Sequence, residues 1–165
     1  MEFLKKIKEK SPEYDSNLED LISRFTVSQG GRAGAAKGSA TYEGGRFFYT
    51  KYEIYMYAIM LGLRNDYRLP LEGIKKKSKF MEIGSWKPED LTDFIIMSVL
   101  GKMDLDFLEM EKKEDKDVEK EVLKIKKTLE EYAFGGFDRI KSKLKSDPSF
   151  FENNDNCFID LIEEK

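Results

Sequence analysis

The sequence predicts a mainly α, compact single-domain helical fold, with one possible short β-hairpin near residues 40–49. Three observations carry this. Ile54 to Leu61 and Leu91 to Leu100 are apolar on nearly every side, as the buried helices of a core are. Val118, Val122, Ile125, Leu129 and Tyr132 recur at spacings of four, three, four and three residues, the stripe of an amphipathic helix. The chain has 165 residues, 40% hydrophobic and 37% charged, long enough for one core and charged enough to solvate the outer faces of its helices.

Taken in order, Ser16-Asn17-Leu18-Glu19 reads as a capping box, in which Ser and Glu satisfy the open amides of a helix start. A helix to about Phe25 follows, with Leu18, Leu21, Ile22 and Phe25 on one face, so residues 1–27 form an N-terminal amphipathic segment. Ser28 to Ser39 (SQGGRAGAAKGS) has no large apolar side chain to offset the entropy of ordering, and reads as a flexible loop. Gly44-Gly45 lies between Ala40–Glu43 and Arg46–Tyr49, where it suits a two-residue hairpin turn. Residues 28–46 are thus loop and hairpin, and residues 47–165 the helical core domain.

Thr50-Lys51-Tyr52-Glu53 is a second capping box, opening a helix over 51–61 that Gly62 ends in the left-handed conformation. Arg64 to Ser85 reads as irregular connecting structure. Pro88 suits the first position of the next helix, with Glu89 and Asp90 at the positive end of its dipole, and Gly101 stops it. A long helix covers about 115–134. Gly135-Gly136 interrupts it, after which Phe137, Ile140 and Leu144 resume helical spacing as far as Asp147-Pro148. The tail around Cys157–Ile162 docks as a short strand or helix.

The composition excludes several chemistries. There is no histidine, hence no Ser-His-Asp or Cys-His nucleophile, and Cys157 is the single cysteine, too few soft ligands for structural zinc. No catalytic residue, metal or cofactor is expected. A lone cysteine permits no intramolecular disulfide; with no apolar leader or membrane-length run, the expected location is cytoplasmic. Asp104 with Asp106, and Glu89 with Asp90 and Asp93, are hard-ligand candidates for magnesium, but they read more simply as solvated charge and helix-end acids. Glu111-Lys112-Lys113 and Glu114-Asp115-Lys116 match the Glu-x-Lys of metal-dependent nucleases, yet sit in a charged, helix-prone stretch instead of a strand. The loop Gly30 to Ser39 misses the phosphate-loop spacing, because Lys37 follows Ala36 and precedes Gly38.

A formal net charge of −3 leaves no surplus to hold a polyanion, so any nucleic-acid contact is local. Its candidates are Arg32, Lys37 and Arg46, near the aromatic Tyr42, Phe47 and Phe48, and the run Lys75, Lys76, Lys77 and Lys79. The candidate partner surface is the stripe Val118, Val122, Ile125, Leu129 and Tyr132.

The stretch Phe47 to Glu72, FFYTKYEIYMYAIMLGLRNDYRLPLE, has an apolar helix ending in Leu61-Gly62-Leu63 and a basic turn closing on Leu69-Pro70-Leu71; Glu131-Tyr132-Ala133-Phe134-Gly135-Gly136-Phe137 follows later. In these motifs the chain resembles a small bacterial family associated with DNA phosphorothioation (Dnd) gene clusters. It departs from that family at Asn65, Asp66 and Tyr67, and residues 1–42 have no counterpart. The resemblance implies no catalytic residues. It implies a non-catalytic accessory or adaptor component of a bacterial DNA modification or phage-defence system, whose candidate partners are other protein subunits, DNA or a second copy, and not a membrane. The alternatives are a metal-dependent nuclease built on Asp104 and Asp106, or a small DNA-binding module.

Overall fold

A computed structural model describes residues 2–27 and 47–164. Helices α1 (Glu2–Lys8), α2 (Glu19–Phe25), α3 (Lys51–Arg64), α4 (Glu89–Leu100), α5 (Phe107–Lys112), α6 (Asp115–Ser146), α7 (Ser149–Glu152) and α8 (Cys157–Glu163) carry the architecture. Strands β1 (Glu13–Asp15) and β2 (Lys77–Lys79) form a small antiparallel sheet in the register Glu13–Lys79, Tyr14–Ser78 and Asp15–Lys77. The mainly α prediction holds.

The Thr50 capping box forms as expected. Its hydroxyl accepts from the Glu53 N–H, and the Glu53 carboxylate accepts from the N–H groups of Tyr49 and Thr50. The far end of α3 differs from expectation. The helix runs past Gly62 to Arg64, and the left-handed residue is Asp66, at φ 47°. Tyr67 N–H donates to the Gly62 carbonyl and Asp66 N–H to that of Leu63, the bond pair of a Schellman ending. Gly62 is needed for another reason: a Cβ there would lie 2.2 Å from the Tyr132 carbonyl oxygen of α6.

Gly135-Gly136 likewise does not interrupt α6, which is continuous from Asp115 to Ser146. A Cβ on Gly136 would fall 1.8 Å from the Ala58 carbonyl oxygen, and one on Gly135 would fall 2.3 Å from that of Tyr67. Gly62 and Gly136 let the α3 and α6 backbones touch, Gly135 admits the chain just beyond α3, and this crossing is the spine of the fold. Leu69 N–H, donating to the Glu131 carbonyl, ties the chain beyond α3 onto α6.

The Ser16 capping box does not form. Ser16–Leu18 is a 3-10 turn capped by Asp15, whose carboxylate accepts from the Asn17 N–H. Partners distant in sequence take up both box residues. Ser16 Oγ is hydrogen-bonded to Ser78 Oγ, while Glu19 accepts from the Tyr14 hydroxyl and the Lys51 ammonium. The region read as irregular connection thus contains β2. Beneath the sheet, Tyr14 meets Phe80 edge-on and Phe80 stacks on Tyr55 at 4.7 Å. The buried Glu130 carboxylate accepts from the Glu13 N–H and pairs with Lys126 at 3.1 Å, and Tyr55 donates its hydroxyl to the Glu13 carbonyl.

The core draws on every part of the described chain, with Ile22 and Phe25 from α2, Ile54 and Ile59 from α3, Ile95 and Ile96 from α4, and Phe137 from α6. Phe158 of α8 packs its ring on Phe25, Phe48 and Tyr57, so the tail docks as a helix. Of the expected hairpin only residues 47–49 are described; there Phe48 bonds to Phe25 and Val27, making an isolated parallel bridge with Thr26.

Candidate functional site

α1, α4, α5 and the start of α6 leave an open groove of about 710 Å³ between them. Phe3 and Leu4 line it from α1, Met97 and Leu100 from α4, Phe107 and Met110 from α5, and Val118 from α6. Asp106 fixes α5 as one wall, its carboxylate accepting from the Leu108 and Glu109 N–H groups. The Phe107 ring meets that of Phe3 edge-on at 6.5 Å. Met97 is 53% exposed and Phe107 42%; Phe94, one turn before Met97 on α4, is 58% exposed, and Leu108 beside Phe107 is 73% exposed. Half of the eight large apolar side chains exposed among the described residues therefore belong to α4 and α5. Read from sequence as a largely apolar core helix, α4 buries one side and turns Phe94 and Met97 outward.

Ion pairs border the groove. Lys6 bonds Asp115 at 3.0 Å, which raises the lysine pKa chiefly through that hydrogen bond; Lys113 pairs with Glu121 at 3.5 Å. Lys8 reaches Asp93 at 2.7 Å and Glu89 at 3.2 Å, holding α1 to α4. Glu2 and Glu111 also line the groove, and neither has a cation within 4 Å among the described residues.

Of the predicted partner stripe, Val122, Ile125, Leu129 and Tyr132 are buried in the chain's own core. Intramolecular packing against α3 and its neighbours occupies them, which corrects their assignment to a partner surface. Val118 alone reaches the groove. Of the predicted nucleic-acid residues, Arg32, Lys37 and Arg46 lie outside the described residues. Lys75, Lys76, Lys77 and Lys79 are exposed along β2 and its approach, and among the described residues none is within 4 Å of a carboxylate, although Lys77 and Lys79 stand opposite Asp15 and Glu13. The neighbouring Lys126 and Lys127 are neutralised by Glu130 and Glu72.

The acidic candidates do not converge. Asp106 caps α5, Asp104 is exposed, and Asp115 serves Lys6; among the described residues no three potential ligands lie close enough to share an ion. Burial pushes the Cys157 thiol up to about 11, so it is a poor nucleophile. Over the α3–α6 crossing, Asp66 accepts from Lys102 at 3.2 Å and from the Tyr132 hydroxyl at 3.4 Å; the lysine hydrogen bond holds its carboxyl below the usual range. This network latches the end of α3. The groove itself escaped sequence reasoning because four separate segments build it; its one sequence signal was Phe107-Leu108 in an otherwise charged stretch.

Residues 39–163 match the family described as DNA sulphur modification system-associated protein 4. The chain belongs to this family. Its description ties the family to a DNA sulphur modification system, in agreement with the resemblance carried by Leu61-Gly62-Leu63, Leu69-Pro70-Leu71 and Glu131 to Phe137. These family-like motifs meet in space, since Gly62 and Gly136 form the α3–α6 crossing and Gly135 packs on Tyr67 just beyond α3. No curated protein and no solved structure matches the chain. Among the described residues no helix is long and apolar enough to cross a membrane.

Proposed function

We propose that this protein is a non-catalytic accessory component of a bacterial DNA sulphur modification or defence system, working in the cytoplasm by docking another protein of that system in the groove between α1, α4 and α5. The observation that carries this reading is the concentration of exposed apolar side chains there, Met97 and Phe107 above all, beside Phe94 and Leu108. Exposed apolar side chains gathered at a groove in this way mark an interaction site. The test is retention of the other proteins of the modification system on the immobilised chain. At least one is expected to be held by the wild type, and Met97→Glu should weaken that by about tenfold or more, because a buried unpaired carboxylate opposes association. Retention of none, or equal retention by the variant, would overturn the reading.

A second reading, a local DNA contact along Lys75, Lys76, Lys77 and Lys79, is favoured by the exposure of these lysines and their lack of carboxylate partners among the described residues. It predicts duplex binding that falls as salt rises, with a log–log slope of about −3 to −4 if each lysine neutralises one phosphate. Replacing all four by alanine should abolish it; binding unchanged in that variant would dismiss this contact.

A further inference from the structure

We infer that the groove takes an amphipathic helix whose apolar stripe is flanked by lysine or arginine, which rests on the docking reading above and names the kind of segment that docks. The walls supply the first argument. Every residue lining the groove except Lys113 lies within α1, α4, α5 or α6, and the Lys113 N–H donates to the Met110 carbonyl of α5. Among the described residues no strand edge borders the groove, so an occupant has no sheet there to which its own peptide groups could add. A segment that buries apolar side chains here must bring its backbone already paired, and a helix presenting anchors one turn apart does so.

The rim supplies the second argument. Five charged residues line the groove, three acidic and two basic; Lys6 pairs with Asp115, and Lys113 with Glu121, which Lys124 shares. Glu2 and Glu111 are left without a cation partner among the described residues, so the potential presented to an incoming segment is negative at both. A covering segment with acidic flanks would strip water from these carboxylates beside like charge, whereas one with basic flanks pairs them.

Two fluorescein-labelled synthetic helical peptides with the same leucine stripe, one with lysine and one with glutamate at the flanking positions, test this by anisotropy at about 50 mM salt, where surface charge is weakly screened. A third peptide keeps the lysines and replaces the leucines by glutamine. The lysine-flanked peptide is expected to bind about tenfold or more tightly than either control, to lose most of that advantage on the Glu2→Gln/Glu111→Gln double variant, and to fail on Met97→Glu. Circular dichroism confirms that the variants are folded; Phe107→Ser is the replacement should Met97→Glu unfold. Equal binding of the lysine-flanked and glutamate-flanked peptides, or lysine-peptide binding that neither variant disturbs, overturns the inference. So does a dimer in light scattering that Met97→Glu dissociates, because a second copy would then fill the groove. A system protein retained in a Met97-dependent way, without any charge preference among the peptides, removes only the basic flanks and leaves the docking reading standing.

Discussion

Gly136 shows how much one missing side chain carries. Its Cβ would sit inside the van der Waals radius of a backbone oxygen on α3, an atom that cannot step aside without moving the helix. Gly136→Ala is expected to cost about 3 kcal/mol or more, the scale of core overpacking against an unyielding neighbour. Gly101→Ala, where a Cβ meets only ordinary contacts at 3.5 Å and φ is −65°, should be neutral or stabilising by up to about 1 kcal/mol. Urea denaturation of the two variants measures the contrast. From sequence, Gly135-Gly136 reads as a break, because glycine that weakens a helix and glycine that admits a second backbone are the same letters. Only the position of Ala58 and Tyr67 on the facing segment tells them apart. Asp66 hides a similar substitution of roles: it takes the left-handed position at the end of α3 that Gly62 would have filled more cheaply.

At the scale of the element, legibility follows how local the cause is. The Thr50–Glu53 box lies within four residues and forms as read; Thr50→Ala should lower stability by about 1 kcal/mol in thermal or urea unfolding. The Ser16 box has the same letters and fails, since Ser78 and Lys51 claim its members from 62 and 32 residues away. β1 and β2 are three residues each, Glu-Tyr-Asp and Lys-Ser-Lys, with no apolar alternation to announce them. What holds them is Glu130 reaching from α6 to the Glu13 N–H. Glu130→Ala leaves that amide and Lys126 without their acceptor and should cost about 1–3 kcal/mol, read by the same denaturation and by faster amide exchange at Glu13. The groove is the least legible feature. A periodic stripe announces burial but not what covers it, and four of the five residues marked as a partner face are covered by the chain itself.

For the whole molecule, the absence of histidine shapes the response to pH. Burial, then the hydrogen bond to Glu19, pushes Tyr14 up to about 12, and burial raises Tyr55 and Tyr57 as well. Below pH 10 these tyrosines are neutral in both folded and unfolded chains and their contribution is complete. Above pH 10 the unfolded chain releases the protons that the folded one retains, so stability is lost as pH rises from about 10 through 12 and beyond. At the acid end, lysine partners hold Asp66, Glu72, Asp117 and Glu121 below the usual carboxylate range; their small contributions are present above it and are lost as pH falls through about 4. A melting temperature nearly constant from about pH 5.5 to 9, dropping on both sides, is the expected profile, with tyrosine absorbance near 295 nm tracking the alkaline limb. A step near pH 6 to 7 would contradict it.

The family match begins at residue 39, whereas the packing does not. Lys6 and Lys10 pair with residues 109 positions later, Glu13 is held by Glu130, and Phe25 lies against Phe151 and Phe158. At about 5–20 residues per second, a ribosome that has just delivered Phe25 needs on the order of ten seconds to deliver the rings that enclose it. Through that interval Lys6 and Lys10 lack their ion-pair partners on α6, and Phe25 lacks the rings of Phe151 and Phe158. This segment, translated well before its packing partners, is thus among the last secured, which gives a chaperone that cradles it during synthesis something to protect.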